Sequence, residues 1–279
     1  MRRLYRHAPD RDTIAWGGAA LLGSSAWWIG NGHFLTLDMG VSAFLTMALC
    51  AFVRAQQDDS TVRERHLAML ACWAAVALAT LSKGLIGLVI PGATLLIYTL
   101  WTRHWAIWRR LHPVMGMTLF LVIAAPWFAR VSACSPEFAH FFFIHEHFQR
   151  YATHEAQRIG PWYFFIPILL VGLLPWSALL PGICWQGWQK QPAAQFQIQR
   201  LLLAWAGFVF VFFSISGSRL PAYILPMFPA LAMLAAPLLP GMGKKTVWGI
   251  VCSLLLAGIA VLLAPLTWHR VPTLPVWPR

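Results

Sequence analysis

Charged residues are scarce in this sequence. Asp, Glu, Lys and Arg make up 11% of its 279 residues, against about 25% in soluble domains. A soluble domain of this length needs a far more polar surface, so the composition excludes an ordinary water-soluble fold. Acids are the scarcest of all, nine against 21 basic residues, for a formal charge of +12. The basic residues lie scattered in short clusters between apolar runs, as membrane topology signals do, which argues against nucleic-acid binding. The five cysteines form no CxxC or other metal spacing, which excludes a cysteine-based metal knuckle and gives no disulfide framework. Cys50, Cys72, Cys184 and Cys252 fall in or at the ends of apolar runs, with only Cys134 in a polar loop, so they read as small buried hydrophobes. The first apolar run follows Arg2, Arg3, Arg6 and Arg11 but lacks a small-residue cleavage site, and it reads as a span rather than a cleaved signal.

What is abundant is apolar: 59% of the residues are hydrophobic, with 16 Trp and 18 Phe. A membrane span needs about 20 mostly apolar residues. Nine stretches qualify as candidates: 13–33, 37–53, 66–82, 85–101, 114–133, 161–183, 199–215, 221–239 and 246–266. Pro91, Pro126, Pro167 and Pro175 lie inside them, which membrane helices tolerate. The expected fold is therefore an all-α polytopic bundle forming one transmembrane domain over residues 1–279, with one long outer loop at 131–160. Placing the N-terminus inside assigns fourteen basic residues to inner segments and seven to outer ones. That bias predicts an inner N-terminus and an outer C-terminus. On that topology Asp38, Lys83, His145, Arg150 and Arg219 all reach the outer face, although they are spread over most of the chain.

Each of these polar groups has a plain reading and a functional one. Asp38 opens an apolar helix, where Thr36 or Asp38 could serve as a cap and the helix dipole favours an acid; it could equally bind a cation or order a basic neighbour. Lys83 sits in the tight turn Ser82-Lys83-Gly84, as a snorkelling lysine or as a point charge for a lipid phosphate. The run from Phe141 to Tyr151 reads as an interfacial amphipathic helix in which Glu146 can pair with Arg150. Its His145 and His147, beside a carboxylate, could also ligate zinc, although His-x-His lacks the spacing of a closed site. In Gly217-Ser218-Arg219-Leu220-Pro221-Ala222-Tyr223, Arg219 and Tyr223 suit either an interface anchor or phosphate and sugar oxygens. No P-loop, GxGxxG or GxSxG occurs, which points any phosphorylated donor toward a lipid-linked form.

Five blocks stand in matching order: Thr36-Leu37-Asp38-Met39, Ser82-Lys83-Gly84, Ala125-Pro126-Trp127, the run from His145 to Tyr151, and the run from Ser216 to Pro226. Together they resemble the bacterial lipid A aminoarabinose transferase family, integral-membrane GT-C glycosyltransferases related to protein O-mannosyltransferases. The resemblance implies a sugar, 4-amino-4-deoxy-L-arabinose or similar, moved from undecaprenyl phosphate to lipid A at the periplasmic face of the inner membrane. It implies Arg150 on the donor phosphate, His145 on a divalent metal (zinc), Asp38 in the acidic set of the cavity, and Lys83, Arg219 and Tyr223 along its lining. Helical spacing places His147, rather than His145, beside Arg150. The family pattern has Lys where Arg219 stands, which keeps the charge but not its geometry.

Measured against that pattern, the leading helix pair, with its outer loop and principal catalytic carboxylate, has no counterpart here. Nor does the soluble C-terminal domain. The resemblance therefore implies that this chain does not catalyse transfer unaided. Two rival readings are a non-enzymatic carrier or transporter subunit for a lipid-linked sugar, and an inert gene fragment. Against the carrier, there are no inverted repeats and no mid-span charge.

Overall fold

The computed structural model describes residues 10–135, 161–191 and 195–268, and what it describes is helical. In chain order the α helices are α1 (Arg11–Ser24), α2 (Ala26–Gly32), α3 (Leu37–Gln56), α4 (Val62–Lys83), α5 (Ile86–Thr102), α6 (Ala106–Arg109) and α7 (Pro113–Cys134). After the segment 136–160 come α8 (Phe165–Gly172), α9 (Leu180–Trp188), α10 (Ile198–Ile215), α11 (Phe228–Ala235) and α12 (Lys244–Trp268). Short 3-10 turns at Trp176–Leu179, Pro221–Met227 and Ala236–Gly241 join them.

Among the described residues five segments are long and apolar enough to cross a membrane, namely α3, α4, α7, α10 and Pro221–Gly241, and a sixth is reached if α8 and Trp176–Trp188 count as one bent span. Large apolar side chains on their outer faces are exposed, among them Met47, Val114, Val122, Val211 and Ile215. In water they would form large sticky patches; in a bilayer they face lipid tails. The chain is a multi-pass membrane protein.

The nine expected spans are not nine uniform helices. Stretch 13–33 breaks between α1 and α2 at Ser25, which takes an extended conformation. Its hydroxyl instead donates back to the carbonyl of Leu21 at 2.7 Å. Stretch 161–183 folds into two helices bent by 108°. Pro175 stands at that break, where a proline has no N–H to continue the ladder. Stretch 85–101 becomes α5, 17 residues and somewhat short of a full span. The cysteine reading is corrected too. Only Cys72 is buried, while Cys50, Cys134, Cys184 and Cys252 are exposed on the outer surface. A weakly polar thiol is tolerated as well against lipid as in a core.

The α3–α4 hairpin is the centre of the bundle; α7, α5 and the 221–241 span pack on it, and α10 packs on α5 and the 221–241 span. Its turn is set by a capping box. Thr61 Oγ1 accepts from the Glu64 N–H and the Glu64 carboxylate accepts from the Thr61 N–H, both at 3.2 Å. Arg54 closes the same turn through Glu64 at 2.8 Å. Hydroxyls inside the helices answer to their own backbone, as Ser42 to Asp38, Thr80 to Val76 and Thr99 to Leu95 do, so they cost little in an apolar setting. Leu45, Leu49, Met69, Ile90, Val209 and Phe228 fill the core. Trp205 Nε1 donates to the Pro226 carbonyl at 2.9 Å and ties α10 to the last central span.

Helix α7 runs parallel to α4. The His66 and His112 rings meet at 4.4 Å where the two helices begin. Farther on, Trp73 Nε1 donates to the Leu111 carbonyl at 3.0 Å and packs on Gly116, where an added Cβ would lie 2.0 Å from that nitrogen. α7 therefore ends on the side of the bundle where α3 starts and α4 stops, and segment 136–160 leaves from there. Chain topology thus defines two ends, called below the Asp38 end and the Arg54 end.

Two measurements check this packing. Gly116→Val should lower the melting temperature of the detergent-solubilised chain more than Thr61→Ala, which removes a cap and costs about 1 kcal/mol. At the Arg54 end, burial and then neighbouring positive groups (Arg110 for His104; His66 and Arg65 for His112) hold both histidines below their usual value. The folded chain thus keeps them neutral where the unfolded chain protonates them, near and below about pH 6.5. Stability should accordingly fall as pH drops from 7 through that window, and His112→Gln should flatten the dependence in a melting series.

Candidate functional site

The site lies at the Asp38 end and is built from helix termini. α3 begins with N-cap Thr36, whose hydroxyl makes no capping bond, and Asp38 stands in the first turn. α4 ends with Lys83 in its last turn, stopped by Gly84 at φ 75°, a left-handed conformation that glycine takes without strain. An acid at a helix N-terminus and a lysine at a C-terminus each complement their own helix dipole. Because the two helices are antiparallel neighbours, these charges come together, and Lys83 Nζ forms an ion pair with Asp38 Oδ1. The side chains are 15% exposed for Asp38 and 28% for Lys83, sheltered enough that each needs the other. The cap expected of Asp38 or Thr36 gives way to this cross-helix bond.

A third element completes the group. The 3-10 turn Pro221–Met227 packs against α3 and sets the Tyr223 ring 4.3 Å below the Lys83 ammonium. Lys83 is thereby held by a carboxylate and by an aromatic face together. Phe213, near the end of α10, lies 5.1 Å from Tyr223 between ring centres and fixes it from behind. The turn between α10 and Pro221 is pinned by Ser216 Oγ, which accepts from the Ser218 N–H at 3.3 Å. Arg219 Nη2 donates to the Ser214 carbonyl at 2.9 Å, at the negative end of α10, while its Nε is buried without a hydrogen-bond partner. Ser218 Oγ is likewise buried and unpartnered. Two polar groups in the turn that leads to Tyr223 are thus buried without a partner.

The structure brings Asp38, Lys83 and Tyr223 into one cluster and places Arg219 four residues before Tyr223, turned toward α10. His145 and Arg150 lie outside the described residues. Among the described residues no group of three His, Cys, Asp or Glu side chains could hold a metal. Three functional features escaped the sequence reading: Phe213 behind Tyr223, the Ser214 carbonyl as the seat of Arg219, and the open Ser218 hydroxyl. Phe213 sits in the aromatic run Phe210-Val211-Phe212-Phe213, where nothing marks one ring above another. The Ser-Gly-Ser spacing at 216–218 was the available signal for a built turn.

Chemically, the cluster offers a fixed positive charge with donors to spare. An ammonium has three N–H donors and the ion pair engages one, so Lys83 can serve an anionic oxygen without leaving Asp38. A double-mutant cycle checks the pair. Asp38→Asn and Lys83→Met should each destabilise the chain, and their coupling energy should be about 1.5–3 kcal/mol, with Lys83→Met the worse because it leaves an unpaired carboxylate.

Comparison with known proteins places this architecture. Residues 4–142 match the family model described as dolichyl-phosphate-mannose-protein mannosyltransferase. A protein named undecaprenyl phosphate-alpha-4-amino-4-deoxy-L-arabinose arabinosyl transferase from Erwinia tasmaniensis is 33% identical over 210 residues, covering 74% of this chain and 37% of the relative. Its namesake 1 from Sodalis glossinidius is 32% identical over 271 residues, covering 90% and 46%. The crystal structure of ArnT from Cupriavidus metallidurans bound to undecaprenyl phosphate superposes with a TM-score of 0.85 at 37% identity, over 94% of this chain and 47% of that one. The apo structure of the same protein gives 0.79 at 38% identity, over 99% and 48%. The chain thus spans less than half the length of these relatives. Over most of its own length the bundle shares the fold of these relatives and about a third of their residues, so it is similar to undecaprenyl phosphate-alpha-4-amino-4-deoxy-L-arabinose arabinosyl transferases across the part of them that it spans.

Proposed function

We propose that this chain carries the donor-side wall of a polyprenyl-phosphate-dependent glycosyltransferase. In this reading a sugar, 4-amino-4-deoxy-L-arabinose by family, passes from undecaprenyl phosphate to lipid A. The observation that carries the reading is the meeting of Asp38, Lys83 and Tyr223 from three separate segments at one end of an otherwise apolar bundle. That arrangement belongs to a chain whose solved relative is named as binding undecaprenyl phosphate. The basic-residue bias supports placing the Asp38 end on the periplasmic side of a bacterial inner membrane, with the N-terminus cytoplasmic and the C-terminus periplasmic.

The chemistry follows from the geometry. When a sugar leaves a polyprenyl phosphate, negative charge grows on the phosphate oxygens. Lys83, already fixed between Asp38 and Tyr223, meets that charge without having to reorganise, which is where preorganised donors act most strongly. Asp38 then has two roles: it holds the ammonium in place and keeps the resting site neutral. Arg219, held at the Ser214 carbonyl, adds a second positive group at the turn before Tyr223. Arg150 is proposed, on the resemblance, as a further phosphate contact, and His145 as a ligand for a divalent metal, zinc by the type of donor. The chain spans less than half the length of its relatives, and the acceptor-activating step is proposed to draw on residues outside the shared span.

The test is transfer in cells or vesicles that have no other such enzyme, with this chain in its natural gene context. Lys83→Ala should lower donor turnover by about a hundredfold, as loss of one charge-stabilising donor does. Lys83→Arg should recover only part of it, since the compact ammonium is what fits between carboxylate and ring. Wild-type turnover in the Lys83→Ala background would remove the reading. Efficient transfer by the purified 279-residue chain alone would remove the requirement for further residues.

A further inference from the structure

The proposed transfer leaves the Arg54 end without a role, yet that end carries a built feature. An apolar cavity of about 160 Å³ opens among α3, α4, α5, α6 and α10. Phe52, Met69, Trp73, Pro91, Leu111 and Trp205 help wall it. Thr94 Oγ1 lines it too, 1% exposed and with no hydrogen-bond partner. A void of this size in a packed core is destabilising if it stays empty. Water needs two to four polar partners, and this wall supplies almost none, whereas hydrocarbon about the size of a benzene ring fits such a space. The opening is on the lipid side. Gly92 is exposed, with open space where a side chain would project, and Trp108, which also lines the cavity, is 37% exposed.

The turns at the Arg54 end, which follow the cavity-lining Trp108, are positively charged. Trp108 is anchored by its Nε1–H to Thr99 Oγ1 at 2.9 Å, and Arg109 and Arg110 follow it directly. Segments 54–65 and 103–110 at this end hold six arginines against three carboxylates. Glu64 and Asp59 are engaged by Arg54, and Asp58 lies 4.0 Å from Arg110. Arg103 and Arg109 are exposed. An interfacial tryptophan between an apolar crevice and exposed guanidiniums matches the two halves of one amphiphile.

We propose that this crevice and rim bind an anionic phospholipid of the adjoining leaflet, its hydrocarbon chain in the opening at Gly92 and its phosphodiester on Arg103 and Arg109. The charge complementarity selects an anionic headgroup, and the crevice selects a lipid over a soluble phosphate. None of these residues belongs to the proposed donor site, so the lipid would act as a structural ligand that fills the void and steadies the end of the bundle opposite Lys83.

The experiment is native mass spectrometry of the full 279-residue chain, delipidated in mild detergent and titrated with phosphatidylglycerol, phosphatidylcholine of identical chains, or glycerol phosphate. Phosphatidylglycerol should be retained over phosphatidylcholine, and the preference should shrink by about fivefold for each of Arg103→Gln and Arg109→Gln. Gly92→Trp should reduce retention of phosphatidylglycerol by blocking the opening. The two arginine variants lie on the exposed rim and keep the test valid should the tryptophan variant fold poorly. Equal retention of the two lipids, a preference that survives both arginine replacements, or a well-folded Gly92→Trp chain that still retains the lipid would each overturn the proposal. Displacement of phosphatidylglycerol by glycerol phosphate would overturn it as well, marking a headgroup-only anion site.

Discussion

The ion pair between Asp38 and Lys83 is the constraint around which this molecule is arranged. A charge near lipid is tolerated only when it is paired or functional, and this pair joins the first turn of one helix to the last turn of its neighbour. Two helices that must bring these residues together cannot slide or rotate independently. Their register is set at the turn by the Thr61–Glu64 box and at the open end by the two charges. Tyr223 and Phe213 then stack in sequence on the fixed ammonium, so the third and fourth contributing segments inherit their placement from the first two.

The rest of the bundle separates its tasks by end. The Arg54 end concentrates arginines, carboxylates and histidines in short turns, where water and headgroups can solvate them. At the Asp38 end Asp38, Lys83 and Arg219 are each held by a specific neighbour. Between the two ends lie apolar helices whose hydroxyls, Thr94 excepted, are mostly spent on their own backbones. The division leaves a heavily charged anchor at one surface and a small set of fixed groups at the other.

Much of this was legible in the sequence. Apolar runs of the right length gave the spans α3, α4, α7, α10 and 221–241, because burying backbone in lipid leaves helix as the only open-chain solution. Alternating the spans across the membrane put Asp38, Lys83, Tyr223 and Arg219 on one side before any contact was known. The partnerships were less legible, since they depend on helix rotation. That Lys83 would meet Asp38, or Arg219 the Ser214 carbonyl, required knowing which faces pack. The breaks at Ser25 and Pro175 were equally hidden: hydropathy counts residues without asking whether one helix can run through them. Cysteine burial failed for a related reason. In a membrane protein an apolar position is as often turned to lipid as to the core.

The close approach at Gly87 has a consequence for how such a site is read. An added Cβ there would fall 2.6 Å from the backbone nitrogen of Thr80, one turn before Lys83. The α4–α5 turn is therefore locked by backbone resting on backbone, with no side chain in between to yield. A survey of tolerated substitutions would score Gly87 as severely as any donor in the site, although it offers no group to a substrate. Intolerance at this end of the bundle would measure the stiffness of the mount as much as the chemistry mounted on it.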